Sequence, residues 1–185
     1  MVTPKQRRPR RLRFVQRDHR LKKLSWDHHH GLVMALRIER ELADDSADWA
    51  RLYADLLSFW AAGLLPHFRT ESECLLARLI RHVPDSDDSV QRTQADHLGM
   101  AALVATMRDT TDPSVRKNAL RRFGTTLRDH IRWEESVLFA LVQEKLASDE
   151  LDALGADIAE RLPDVIAAPV RATDVNLAPG LAPRV

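Results

Sequence analysis

Asp129-His130-Ile131-Arg132-Trp133-Glu134-Glu135 lies in a run whose apolar residues step by three and four, so it reads as helix. There His130 and Glu134 fall one turn apart on one face. His67-Phe68-Arg69-Thr70-Glu71 repeats the spacing within another helical run. An imidazole and a carboxylate stacked in this way can grip one metal ion or reach two neighbouring ions.

Working outward, the chain divides into helical runs joined by short polar turns. Helix A is expected from a Ser25 cap to about Ala43, with Leu24, His28, Leu32, Ala35 and Glu39 along one face. Asp44-Asp45-Ser46 turns into a long helix B, about 47 to 82, carrying Trp49, Tyr53, Leu56, Trp60, His67, Glu71 and Cys74. Pro66 removes a donor inside that run and predicts a kink or loosening just before His67. Helix C spans about 88 to 109 with Val90, Thr93, His97, Met100, Val104 and Met107 on one face. Asp112-Pro113 opens helix D as cap and first residue, with Val115, Leu120, Phe123, Leu127, His130, Glu134, Val137, Leu138 and Leu141 in its stripe. Ser148 caps a short fifth helix that Pro163 closes.

No strand or hairpin signal interrupts these runs. The fold class is all-α: an up-down-up-down four-helix bundle with a short fifth C-terminal helix and flexible tails, because short links force neighbouring helices to run antiparallel. Residues 1–20 form a basic arm, 21–146 the bundle, and 147–185 the short helix and a disordered tail.

Counted from the turns, His28, His67, His97 and His130 come to similar depths, agreeing between neighbours within roughly 6–11 Å at 1.5 Å rise per residue. A lone histidine on an apolar face is usually a satisfied core residue. Four at one level, two with a glutamate one turn on, are costly to bury without a charge partner. A metal ion supplies that partner, and imidazole with carboxylate but no thiolate suits iron, manganese or zinc. Asp27, Asp96 and Asp129 each precede one of these residues. Such an acid reads first as a solvated or helix-flanking residue; the alternative is support of a ligand on a neighbouring helix, because adjacent helix positions do not face each other.

Composition sets the frame. The chain has 185 residues, 44% of them hydrophobic and 30% charged, with a net charge of +1. That suits one globular domain with tails. Residues 1–23 hold ten Lys or Arg and one acid. They read as a solvated arm, with a weak nucleic-acid or anionic-surface contact as the alternative. Cys74 is the single cysteine, so no intrachain disulfide forms. No apolar run approaches a membrane span, and no apolar stretch follows the basic N-terminus as in a secretory signal. A cytoplasmic location is expected.

The segments Leu24-Ser25-Trp26-Asp27-His28-His29, Leu65-Pro66-His67-Phe68-Arg69-Thr70-Glu71, Asp96-His97-Leu98 and His130-Ile131-Arg132-Trp133-Glu134-Glu135 with Leu138-Phe139 resemble the hemerythrin-like (HHE cation-binding) domains. The resemblance covers about residues 19–146. It implies a four-helix bundle around two non-haem iron ions, with His28, His67, His97 and His130 as terminal ligands and Glu71 and Glu134 as bridges. Because His28, His29 and His30 are consecutive, helix A offers an alternative: His28 keeps step with Leu24 and Leu32 and is preferred, with His29 as the fallback. The chain departs from the family pattern at helix C, where the positions four away from His97 are Thr93 and Ala101 rather than a second histidine. Ser72 and Ala140 also depart from the pattern. The missing histidine leaves an open position for O2, NO, peroxide or water.

Three functions compete at this level. One is a di-iron protein that binds O2 or a related small ligand, or senses or stores iron. Another is an enzyme on the same site, turning over NO or peroxide or donating iron to damaged iron–sulfur centres. The third is a helical interaction module with a basic arm and structural histidines. No nucleophile–base pair and no Gly-rich phosphate loop is present.

Overall fold

The computed structural model describes residues 16–44, 47–84 and 87–162. Among them are five helices and no strand: α1 (Lys22–Ala43), α2 (residues 49–79), α3 (Asp88–Asp109), α4 (residues 113–145) and α5 (Ser148–Arg161). The expected basic arm, apart from residues 16–20, and the tail beyond residue 162 lie outside the described residues, as do Asp45, Ser46, Asp85 and Ser86.

Local chemistry sets most helix starts. Asp87 accepts a hydrogen bond from the Ser89 N–H at 2.9 Å, and Asp112 accepts from Ser114 at 2.7 Å ahead of Pro113. Each satisfies an amide that the first turn leaves without a partner. At α2 the cap is Asp48, accepting from Arg51 at 3.0 Å. The expected cap at Ser25 is corrected. A 3₁₀ turn, His19–Leu21, capped by Asp18, leads directly into α1 at Lys22. Leu21 and Leu24 are fully buried, so their packing draws the chain into helix before Ser25 is reached.

Two of the helices contain π turns. In α2 these are Trp60–Leu64 and Glu71–Leu76, and in α4 Glu134–Leu138. The first absorbs Pro66: the Leu65 N–H reaches back to the Trp60 carbonyl, and the Thr70 hydroxyl donates to the Pro66 carbonyl at 2.9 Å. The loosening expected before His67 is this wide turn. Such a turn also shifts the inward face beyond it. Past Glu134 the buried positions are Leu138, Phe139, Val142 and Leu146, while Val137, expected on the inner stripe, is exposed. Val115, at the open start of α4, is exposed as well.

Burial falls into two apolar clusters. One gathers Met34, Ile38, Leu56, Phe59, Trp60, Met100, Val104, Phe123 and Leu127. The other gathers Leu21, Leu24, Cys74, Leu75, Leu79, Leu138, Phe139, Leu154 and Ile158, with α5 as its cover. Between them the chain places its buried polar residues. Along α1, His28 follows Leu24 and precedes Met34; along α4, His130 and Glu134 lie between Leu127 and Leu138. A polar layer thus separates two dry ones.

The helices α1 and α4 pack closely, and two glycines allow it. A Cβ on Gly124 would lie 2.9 Å from Ile38 Cγ2 and 3.2 Å from Ile38 Cβ. At Gly31 the only close atom is the far methyl of Ile131, which can rotate away. Gly124→Ala is therefore expected to destabilise the protein by about 1–2 kcal/mol, overpacking outweighing the gain in helix propensity. Gly31→Ala should stay within about 0.5 kcal/mol of wild type, since Ala regains helix propensity there. Urea unfolding compares the two. A Gly124→Ala protein as stable as wild type would mean that the α1–α4 contact has slack.

Candidate metal centre

Four helices contribute to the polar layer. His28 comes from α1, His67 and Glu71 from α2, His97 from α3, and His130 and Glu134 from α4. All six are buried, both glutamates completely. His28 rather than His29 turns inward; His29 and His30 are only partly buried, beside the exposed Trp26. Each glutamate begins a π turn, with its own N–H shared between two carbonyls that include that of the histidine one turn earlier.

The potential ligand atoms fall into two groups. His28, His67, Glu71 and Glu134 form one; Glu71, His97, His130 and Glu134 form the other. Within each, the atoms lie within 4.8 Å of one another. Both glutamates belong to both groups. Glu71 presents Oε1 to His67 Nε2 at 3.3 Å and Oε2 to His97 Nε2 at 3.3 Å. Glu134 Oε2 lies 3.1 Å from His28 Nε2 and 3.3 Å from His130 Nε2.

These approaches are close, yet the buried Nε2 atoms of His28 and His67 and all four glutamate oxygens lack hydrogen-bond partners. His97 Nε2 and His130 Nε2 lie within hydrogen-bond reach of each other at 3.2 Å. The other atoms converge on shared points instead of pairing along hydrogen-bond directions. Leaving that many buried polar atoms without partners is costly. A cation between them satisfies them together, and a donor set of imidazole and carboxylate fits one.

The far side of the imidazoles supports the same reading. His28 Nδ1 donates to Glu135 at 2.7 Å, His67 Nδ1 to Asp27 at 3.4 Å, and His130 Nδ1 to Asp96 at 3.3 Å. A carboxylate can only accept, so the proton stays on Nδ1 and Nε2 is left as the inward nitrogen, free to coordinate once it gives up any proton of its own. In each case the acid sits on a different helix from its histidine. Asp27 and Asp96 take the supporting place rather than the solvated one, while Asp129 stays at the surface and pairs with Arg128. Nothing in its spacing marks Glu135 for this place, since it adjoins Glu134 but points off that face of α4.

Charge is held tightly. Burial works against the protonated form of His28, but Glu134, Glu135 and Glu71 raise its pKa well above the ordinary range. Burial likewise opposes protonation of His67, and Glu71 and Asp27 outweigh it, raising the value to about 9. Glu71 is driven the other way: burial raises it, yet His67, His28 and His97 together hold it well below the usual carboxylate range. Asp96 is lowered chiefly by its hydrogen bond from His130.

A family model described as the hemerythrin HHE cation binding domain matches residues 23–142. The chain belongs to that family. No curated protein and no solved structure matches it. Membership of this cation-binding family suggests that the chain binds a cation, and the two His/Glu groups fit a metal site. Helix α3 supplies one imidazole only: the buried Thr93 hydroxyl donates to the Ser89 carbonyl at 2.9 Å.

Small apolar space adjoins the first group. A cavity of about 10 Å³ lies against Asp27, His28 and His67, walled by Phe59, Gly63, Leu64, Phe68, Leu127 and Ile131. That is roughly the room one water molecule needs. A larger surface recess of about 360 Å³ between α1 and α4, lined by Ile38, Glu39, Arg121 and Arg128 among others, contains none of the six. Cys74 is buried in the second apolar cluster, its thiol pushed up mainly by burial. No helix among the described residues is long and apolar enough to cross a membrane.

Proposed function

We propose that the chain is a hemerythrin-type protein holding two non-haem iron ions in an up-down-up-down four-helix bundle. His28 and His67 would hold one ion and His97 and His130 the other, with Glu71 and Glu134 shared between the two as bridging candidates. The observation that carries this reading is that both carboxylates belong to both ligand groups. The domain spans 21–146, ahead of the short C-terminal helix. Its single cysteine suits a cytoplasmic setting.

Such iron, when bound, supplies a redox centre open to O2, NO or peroxide. The chain's own residues do the rest. Glu135, Asp27 and Asp96 fix the tautomers of three imidazoles and aim their lone pairs inward. The two glutamates offset the charge of the ions in a layer shielded from water by apolar clusters above and below. Phe59, Phe68, Leu127 and Ile131 wall a space sized for a small uncharged ligand. Opposite, Thr93 leaves the His97 group without a second α3 nitrogen, which favours small-ligand binding or iron sensing over simple oxygen carriage. An NO- or peroxide-consuming enzyme is the second reading, and that open position favours it.

Metal analysis of anaerobically purified protein, with absorption spectra before and after air, tests the proposal. About two irons per chain and new charge-transfer bands on exposure to air are expected. Iron-free protein whose melting temperature ignores added ferrous iron would defeat it.

A further inference from the structure

Three of the centre's imidazoles are backed by a carboxylate, and each carboxylate has a cation beside it. Lys23 Nζ stands 3.7 Å from Asp27, and Arg92 Nε stands 3.7 Å from Asp96, both one helical turn away on the same helix. Arg17 breaks this pattern. It lies 2.6 Å from Glu135, which is 118 residues later in the chain.

Its contacts are also the most complete. Arg17 Nη2 donates to Glu135 Oε2 at 2.6 Å and to the Glu135 carbonyl at 2.7 Å, while Nη1 donates to Gln143 Oε1 at 3.3 Å. Gln143 fastens the residues on either side: its amide donates to the Gln16 carbonyl at 3.0 Å, and its oxygen accepts from the Asp18 N–H at 3.2 Å. The guanidinium lies 4.4 Å above the Phe139 ring. Phe139 in turn stacks on His28, with centroids 5.3 Å apart and planes within 7°. Arg17 therefore reaches His28 twice, along the ring edge through Glu135 and on the ring face through Phe139. Among the described residues its side-chain contacts run to Glu135, Gln143 and Phe139, and not to His67, His97 or His130.

We propose that Arg17 is a positioning residue for His28, through which the segment before α1 sets how firmly the ion of the His28/His67 group is held. The inference rests on the metal reading above. A guanidinium fork is pre-organised to hold a carboxylate and a carbonyl together. Without it Glu135 is freer to turn toward solvent, so the acceptor at His28 Nδ1 is no longer fixed, and Phe139 stacks on His28 without the cation on its ring. The other group keeps its own.

The test uses the full chain loaded anaerobically with ferrous iron, then mixed with a chromogenic chelator to follow release. The His97→Ala protein, retaining only the His28/His67 ion, identifies which release phase belongs to that ion. Arg17→Ala should speed that phase about 10-fold, the lower end of what loss of an outer-shell partner costs, and leave the other phase unchanged. Arg17→Lys should recover part of the difference, since an ammonium keeps the charge but cannot span Glu135 and Gln143. If Arg17→Ala folds poorly by circular dichroism, Gln143→Ala should show the same selectivity to a smaller degree. Two phases at wild-type rates, or both accelerated equally, overturn the inference and leave the metal reading intact. Wild-type protein that takes up no iron overturns the metal reading and this inference with it.

Discussion

Glu134→Gln should cost the protein both ions, not one. Glu134 lies in each of the two ligand groups, as does Glu71. A glutamine keeps the shape of the side chain but offers a single oxygen, and its NH2 group cannot coordinate. It also removes one of two negative charges from a layer in which four charges of metal must be offset. The loss at each ion should exceed the roughly 10–100-fold typical of an outer-shell partner. Metal per folded chain after gel filtration is expected to fall from about two toward zero, and Glu71→Gln should do the same. His97→Ala is the contrast: His97 belongs to the second group alone, so one ion should remain. A Glu134→Gln protein that still carries two ions would rule out a bridging role.

Removing the metal should lower thermal stability, and by an amount that depends on pH. An ion present at 1,000 times its dissociation constant adds about 4 kcal/mol per site, which for a chain of this length is about 8–16 °C in melting temperature. The metal-free protein replaces the ions with protons on its histidines. The pKa of His67 is raised from the ordinary 6.5 to about 9. Its contribution to folding is thus complete below 6.5 and is lost as pH rises through about 9. Glu135 moves the opposite way: burial raises it, but His28, and behind it Arg17, bring it from 4.5 down to about 2. That contribution is complete above 4.5 and disappears as pH falls through 2. Metal-free protein should therefore be most stable between about pH 4.5 and 6.5 and weaken toward pH 9. Metal uptake has to expel the protons of His28 and His67, so affinity should climb over the same interval. Calorimetry at pH 6, 7.5 and 9 should show the stabilisation by metal growing with pH. A gain that is flat or shrinks toward pH 9 would mean that the histidines are not the competing bases.

Much of the arrangement is local and could be read from residue order. The His67–Glu71 and His130–Glu134 pairs follow from four-residue spacing in a helix, and Asp112 followed by Pro113 announces the start of α4. The alternation of apolar and polar positions is enough to give helices throughout and to bring four histidines to one depth. For Asp27, Asp96 and Asp129 residue order offered support of a neighbouring helix only as an alternative to a solvated acid, and it could not tell the first two from Asp129.

What remained open depended on distant contacts. Three consecutive histidines on α1 differ by 100° in direction each; step with Leu24 and Leu32 favours His28, but His29 stayed a fallback until packing against Phe139 and Glu134 placed His28 inward. Glu135 reaches His28 across 107 residues, and Arg17 reaches Glu135 across 118. No spacing rule spans such separations. The π turn at Glu134 moved the inward face by a step that a regular helical period cannot foresee, exposing Val137. Residue order by itself thus determined which side chains form the polar layer and the helices that carry them. Tertiary structure alone decided which carboxylate supports each imidazole, because that depends on how helices far apart in the chain pack side by side.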